Sequence, residues 1–536
     1  MGDQLTLADT PDWKGLRVTV AGLGVSGPPV ARVLHGLGAE VTVVDGGEGP
    51  RQQAQAAELR ELGVTVRLGD GETLPEGTGL VVTSPGWPPN APLLVTAAEA
   101  GLPVWGDVEL AWRLRRPLAA TGEPAPWLAV TGTNGKTTTV RMLASILTAA
   151  GKRTAAVGNV GVPVLDAVLA EDPYDVLAVE LSSYQLHWAP SLRPHSAVVL
   201  NIAADHLDWH GSMEAYAADK GRIYQGNLVA CVYNTADPAT EELVREADVE
   251  EGARAVGFTL GAPAVSQFGV VDGLLVDRAF VTDRHKNAGP SPAATPVGAA
   301  PRHTATELAS VDDVQPPAPH NIADALAAAA LARAYGVEPR AVRDGLRAFR
   351  PDAHRIALVV DVDGVAYIDD SKATNPHAAA ASLAAYEPVG SESPGGRPPG
   401  PPRDPEAADE ASSVDPGRGK VVWIAGGLAK GADMDPLVAG AAEVLRGAVL
   451  IGADRGLIRE ALARHAPQVP VIEPADGQTG APAMDAAVRA AAGLARPGDT
   501  VLLAPACASM DMFTDYGERG DLFAAAARAL AEDGQR

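Results

Sequence analysis

Short runs of β-branched residues alternate with Ala- and Leu-rich stretches of helical character from one end of the chain to the other. Strands of that kind, each followed by a helix, assemble into α/β units with parallel sheets. Three runs open new blocks: "LRVTVAG" at 16–22, "WLAVTG" at 127–132 and "VDGVAYIDDSKATN" at 362–375. The pattern predicts three α/β domains, over residues 1–105, 106–350 and 351–536. Two segments break the alternation, 284–318 and 387–419, both rich in Pro, Gly, Ala and acidic residues. Such composition buries too little apolar surface to offset the entropy of ordering the chain, so both are expected to be mobile surface insertions.

Length agrees with that division, since 536 residues exceed one domain at roughly 150 residues each. Aromatic residues make up only 4%, so the cores must be built mainly from Ala, Val and Leu. The formal net charge of −24 sets the surface against nucleic acid and anionic membranes, and neither is expected as a partner. The same charge repels anionic substrates, so any phosphate site must be locally positive. Cys231 and Cys507 are too few for a disulfide framework and point to a reducing compartment. The first residues show no basic and then apolar leader, and no run of about 18 apolar residues occurs. A cytoplasmic protein is expected.

Two glycine loops carry the candidate chemistry. In "VAGLGVSG", Gly22, Gly24 and Gly27 follow a strand and open a helix, and Asp45 closes the next strand. Glycines let a ligand approach the backbone, while free N–H groups and the helix dipole face an anion. Alone, this loop fits a dinucleotide, a UDP-sugar pyrophosphate or a purely structural turn. "TSPGWPPN" at 83–90 would be a second loop at a strand end of the same domain.

The other loop, "AVTGTNGKTTT" at 129–139, resembles G-x-x-x-x-G-K-[ST] but holds Val130 where that pattern has its first glycine. Val130 continues the strand, so the loop is shorter: Gly132, Thr133, Asn134 and Gly135 bridge to a helix opened by Lys136, Thr137 and Thr138. Lys136 would bring a point charge to the outer phosphates, and a Thr137 or Thr138 hydroxyl would reach Mg²⁺. Downstream, Glu180 stands near the end of the apolar strand in "VLAVELSSYQL", where a metal or water partner explains a carboxylate. The strand in "AVVLNIAADHLDWH" is expected to deliver Asp205 and His206 at its C-terminal end, where open α/β sheets bind ligands. Lys220 sits amid polar residues of the following helix and reads by itself as a solvated lysine.

Several longer motifs occur in one order: "GTNGKTT", "ELSSYQL", "NIAADHLD", "DKGRIY", "PHNIADALAAA", "PDAHR", "DDSKATN", "GGLAKG" and "PACASMDMF" with "YGERG". Together they resemble the Mur ligases, over all three blocks apart from the two insertions. "DSKATN" with "PACAS" is similar to the branch that adds D-glutamate to UDP-N-acetylmuramoyl-L-alanine. The resemblance implies a Rossmann-like N-terminal domain for the UDP substrate, a central P-loop ATPase domain and a Rossmann-like C-terminal domain. It also implies ATP, two Mg²⁺ ions, an acyl-phosphate intermediate and a monomer.

Residue by residue, the resemblance implies uridine-nucleotide contacts from Val25, Ser26, Ser84, Pro85 and Gly86, and substrate contacts from Asn159 and His206. Some family members carry Thr-Arg after the strand-end Asp where this chain has Gly46-Gly47. ATP would meet residues 132–138, Asn321, Arg355 and Asp370; Thr137 and Glu180 would hold one metal, His206 and Lys220 the other. An ammonium cannot ligate Mg²⁺, and the resemblance implies a CO₂-derived carbamate on Lys220. D-Glutamate would meet Thr374, Lys430, Ser509 and Tyr516, with Lys372 a further cation of that cleft, and Cys507 a packing residue. Three rivals remain: a folylpolyglutamate synthase-like ligase, an NAD-dependent dehydrogenase read from Gly22 to Asp45, and a non-catalytic nucleotide-binding regulator.

Overall fold

The computed structural model describes residues 11–281, 305–351, 353–386, 419–474 and 477–534. The described residues form three sheets, each with helices between its parallel strands. They separate into two compact units, residues 1–310 with 323–349, and residues 311–322 with 350–536.

In the first unit, β1 (Arg17–Ala21), β2 (Glu40–Asp45), β3 (Thr65–Leu68), β4 (Leu80–Thr83) and β5 (Val104–Gly106) form a fully parallel sheet in the order β3-β2-β1-β4-β5. The order reverses between β1 and β4, and the loops after both strands meet at that crevice, where such sheets take ligands. Val18, Val20, Val41, Val43, Leu80 and Val82 are buried, as strands covered on both faces require.

The central sheet holds β6 (Trp127–Thr131), β7 (Ala156–Gly158), β8 (Leu177–Glu180), β9 (Ser196–Val199), β10 (Ala230–Asn234), β11 (Arg254–Phe258), β12 (Gln267–Val271), β13 (Leu274–Asp277) and β14 (Thr306–Ser310). Its order is β14-β13-β12-β11-β10-β9-β6-β8-β7, parallel from β7 to β12 and antiparallel beyond. β14 corrects one expectation. The composition of 284–318 predicts a mobile insertion, yet its Thr306–Ser310 portion pairs with β13 and buries Leu308 and Ala309. Averaged composition over a wide window concealed a five-residue strand whose apolar residues find a sheet edge to cover. Most of that segment, and nearly all of 387–419, lies outside the described residues.

The first two sheets share one hydrophobic core. Trp13, Trp105, Trp127, Leu177 and Val199 belong to a single buried cluster. The Asp107–Arg113 helix ties them: the Gly106 N–H donates to Trp188 O at 2.8 Å, and the Ser191 N–H to Glu109 Oε2 at 2.9 Å. Glu109 is also paired with Arg113, both nearly fully buried.

The second unit contains β15 (Ala357–Val362), β16 (Val365–Asp369), β17 (Val421–Gly426), β18 (Leu445–Ile451), β19 (Val471–Ile472) and β20 (Thr500–Leu503), in the order β15-β16-β20-β17-β18-β19. Only the β15–β16 pair is antiparallel. Its turn is Asp363-Gly364, both at positive φ, the usual chemistry of a two-residue hairpin. β15 itself was not expected. The three-sheet, mostly parallel α/β architecture is the one the alternating pattern predicts.

Candidate active site

The first glycine loop is held by the protein's own carboxylates. The Leu23 N–H donates to Asp45 Oδ2 at 2.6 Å and the Gly47 N–H to Asp45 Oδ1 at 2.8 Å. Asp45 thus braces the loop backbone through one bond on each of its oxygens. Gly27 has to be glycine, because a Cβ there would run into the Gly22 carbonyl. Ser26 donates to Asp107 Oδ2 at 3.0 Å. Burial pushes the Asp107 carboxyl above its ordinary range, against the hydrogen bond from Ser26. Val25 is 79% exposed at the loop tip. Ser84 leads a turn closed by the Trp87 N–H on its carbonyl, with Pro85 and Gly86 between. The loop thus brings Val25, Ser26 and the Ser84–Gly86 turn to the ends of β1 and β4.

The second loop runs from β6 to the Lys136–Ala149 helix. Gly135 caps that helix at φ +83°, and a Cβ there would strike the Asp324 carboxylate. Left-handed backbone and close approach both demand glycine. The Asn134 N–H donates to Asn201 Oδ1 at 2.9 Å. The Thr133 hydroxyl is 3.0 Å from Tyr216 Oη and accepts from the Ala203 N–H at 2.9 Å, and the Thr133 N–H donates to Asn201 O at 3.0 Å, so Thr133 is fastened to the segment after β9. Lys136 Nζ donates to the carbonyls of Gly132 and Thr133 at 2.8 and 2.7 Å. Thr137 and Thr138 are buried in the first helical turn.

Lys220 is not solvated. It is 2% exposed, and its Nζ donates to Gly132 O at 2.8 Å, the same carbonyl that Lys136 uses. Burial lowers its pKa well below the ordinary lysine value, and the Lys136 charge lowers it further; Asp205, Glu180 and Asp219 oppose the shift. Lys136 is therefore the cation that this loop offers a polyphosphate, while the environment of Lys220 favours its neutral amine.

Glu180 closes β8 and is 2% exposed. Its Oε1 accepts from Asn159 Nδ2 at 3.1 Å, which joins two residues singled out in the sequence; its Oε2 is buried without a hydrogen-bond partner. A buried unpaired carboxylate oxygen is costly, and a cation is the ordinary remedy. Among the described residues no group of three or more His, Cys, Asp and Glu converges as a metal cluster. The donors available here are of another kind: threonine hydroxyl, one carboxylate and ligand phosphate, the hard oxygens that suit Mg²⁺.

His206 does not lie at a strand end. β9 stops at Val199, and an irregular stretch carries the chain to His206, which adopts φ +54° and caps the Leu207–His210 helix. Its Nε2 is 3.4 Å from Asp205 Oδ2, and its ring packs on Tyr184 with centroids 4.9 Å apart.

The remaining candidates belong to the second unit. Asn321 Nδ2 donates to Pro316 O at 3.0 Å. Asp370 is fully buried and bonded to the Ser382 hydroxyl; burial raises its pKa to about 6, against that hydrogen bond and the nearby Arg355 charge. Arg355 Nε is buried without a hydrogen-bond partner. Lys430 takes φ +50° in the loop after β17, and Lys372 Nζ lies 5.1 Å above the Tyr516 ring. Arg519 went unnoticed in the sequence. Fully buried, it donates to Ser371 Oγ and O at 2.9 and 2.7 Å and to Cys507 O at 3.1 Å. It clamps the loop bearing Thr374 to the loop bearing Ser509; its place in "YGERG" was the available signal. Burial drives the Cys507 thiol up to about 12, which fits packing and not nucleophilic attack.

A phosphate loop with two lysines on one carbonyl, in a mostly parallel sheet, defines a nucleotide-dependent enzyme. Residues 16–106 match the Mur ligase MurD-like N-terminal domain, 130–332 the Mur ligase middle domain and 405–507 the Mur ligase glutamate ligase domain. The UDP-N-acetylmuramoylalanine--D-glutamate ligase of Streptomyces avermitilis is 69% identical over 519 residues, covering 97% of this chain and 99% of that protein. The ligase of the same name from Thermobifida fusca is 56% identical over 520 residues, again 97% and 99%. The chain belongs to the Mur ligase family. A solved MurF ligase from Thermotoga maritima in complex with ADP shares the fold, with TM-score 0.51, 15% identity and coverage of 97% of this chain and 96% of that one.

Proposed function

We propose that this chain joins D-glutamate to UDP-N-acetylmuramoyl-L-alanine, consuming ATP and releasing ADP and phosphate in peptidoglycan precursor synthesis. The observation that carries the reading is the Gly132 carbonyl shared by Lys136 and Lys220 beside the unpartnered Glu180 oxygen. A carboxylate is a poor acyl donor, because oxide is a poor leaving group. In the proposed sequence the alanyl carboxylate attacks the γ-phosphorus, the bond to the ADP oxygen breaks, and an acyl phosphate forms. The D-glutamate amine then attacks the acyl carbon; the tetrahedral intermediate expels phosphate and the amine loses a proton.

Lys136 neutralises charge between the two anions, and the backbone of Gly132–Thr138 cradles the phosphates. Magnesium, when bound, would screen the same repulsion; Thr137 and Glu180 would hold one ion, His206 and Lys220 a second. Lys220 fits that role only after its neutral amine adds to CO₂ and loses a proton, and its buried, lowered pKa supplies the neutral amine. Val25, Ser26, Ser84, Pro85 and Gly86 would receive the uridine nucleotide, with Asn159 and His206 along the muramoyl end. Asn321, Arg355 and Asp370 would complete the ATP site, and Thr374, Lys430, Ser509 and Tyr516 the D-glutamate site. The protein would act in the cytoplasm as a monomer.

Phosphate release in the presence of ATP, UDP-N-acetylmuramoyl-L-alanine and each amino acid in turn tests the reading. Release with D-glutamate is expected. Release with L-lysine, diaminopimelate or L-alanine, and none with D-glutamate, would overturn it.

A further inference from the structure

Behind the phosphate loop, polar side chains form a ring that closes through the backbone of one short helix. Asp219, in the Met213–Gly221 helix, accepts from His187 Nδ1 at 2.9 Å on both oxygens, from His210 Nδ1 at 3.0 Å, and from Arg222 Nε at 3.0 Å. The other nitrogen of His210, Nε2, is 2.9 Å from Ser183 Oγ. With Nδ1 protonated toward the carboxylate, Nε2 is left to accept the serine hydroxyl. Ser183 and His187 are the first and last residues of one helix, His210 ends a second, and Asp219 belongs to a third. The ring therefore fastens three helices to one another.

Serine, histidine and aspartate in this order resemble a hydrolase triad, but Ser183 is 2% exposed and His210 has no exposed side-chain surface. No substrate reaches that hydroxyl. What the ring does control is the position of three neighbours. Glu180 lies three residues before the first helix, His206 caps the second, and Lys220 follows Asp219 in the third. The rings of Tyr184, Trp209 and His210 pack together with centroids 4.4–5.5 Å apart, and the His210 and Asp219 side chains are 0% and 6% exposed, so the bond between them is shielded from water and correspondingly strong.

We propose that the Ser183–His210–Asp219–His187 ring is the positioning frame that fixes Glu180, His206 and Lys220 relative to one another for divalent-cation binding. This rests on the ligase reading above. The direct test is Mn²⁺ binding to the full-length protein in the presence of ADP, read from the EPR signal of free Mn²⁺, beside steady-state kinetics. Asp219→Asn should raise the Mn²⁺ dissociation constant about tenfold, and Ser183→Ala about twofold, the scale of outer-layer changes at metal sites. His210→Asn retains the bond toward Asp219 and should lie closer to the wild type than His210→Gln, which retains only the bond toward Ser183. In each, KM for D-glutamate at saturating metal should stay within about twofold.

Wild-type Mn²⁺ affinity in Asp219→Asn would overturn the proposal, as would a rise in KM matching the loss of metal affinity. If Asp219→Asn does not fold, Ser183→Ala decides, and unchanged affinity there is equally fatal. Failure of the wild type to bind Mn²⁺ would overturn the ligase reading as well; variants that match a binding wild type overturn the frame alone.

Discussion

The two glycine loops of the first unit are built alike but are held by different side chains. Each links a parallel strand to a helix, and each holds its turn with glycine at positive φ. Around the first, the side chains bonded to the loop are Asp45 and Asp107; at the second, Lys136 and Lys220 share one loop carbonyl, with the Asp324 carboxylate against Gly135. The helix after the first loop opens with Gly27, Pro28 and Pro29, and two prolines remove two of the free N–H groups that an anion would use. The helix after the second opens with Lys136, Thr137 and Thr138, none of them a proline. Backbone geometry makes a cradle, and the surrounding side chains decide how much negative charge the cradle accepts.

The largest way to break the contrast is Lys136→Ala. Phosphate release should fall on the order of 10³-fold, the scale of losing a phosphate-clamping cation. Binding of the UDP substrate, followed by calorimetry, should change little. Comparable weakening of UDP-substrate binding would mean that the two loops do not divide the work. Lys220→Ala should cost on the order of 10²-fold. Added acetate or bicarbonate should alter the residual rate, and full activity in this variant would refute the carbamate. A ¹³C carbamate resonance from wild-type protein under ¹³CO₂ is the positive counterpart.

Asp45→Asn tests the acidic side of the contrast. An amide can accept from only one of the Leu23 and Gly47 N–H groups, so the loop loosens by about 1–3 kcal/mol. KM for the UDP substrate should rise while KM for ATP stays constant; an equal rise in both would contradict the separation.

The effect furthest from the two loops is a pH dependence in the second unit. Asp370 has a folded pKa of about 6, above its ordinary value of 3.8. The folded state holds the proton more tightly, so stability decreases as pH rises from about 4 to 6, by up to about 3 kcal/mol. Asp370→Asn should remove that slope, seen in denaturant midpoints across the interval. A wild-type midpoint that climbs between pH 4 and 6, relative to the variant, would show the sign to be wrong.

Much of this was legible in the sequence because it is local. The phosphate loop, Glu180 at the end of its strand and the mostly parallel architecture each depend on neighbours within a dozen residues. β15 could also have been found, since Asp363-Gly364 between two alternating runs is a strong hairpin signal. What escaped depends on distant partners. Nothing near Lys220 foretells that it is buried against Gly132, 88 positions earlier. The role of Asp45 as a brace depends on which backbone N–H groups fold over it. The ring through Ser183, His210 and Asp219 draws on three helices, and no spacing rule connects them.

The buried tie through Glu109, Arg113 and Ser191 has a consequence for substrate choice. Because the first two sheets share one core, the tip at Val25 and the lysines of the second loop stand at a set separation. On the proposed substrate sites, the first unit would work as a ruler. A nucleotide anchored at one end presents a carboxylate to the other only if the chain between them has the right span. A precursor lacking its alanine falls short by one residue, about 3.5 Å, however tightly its uridine is held.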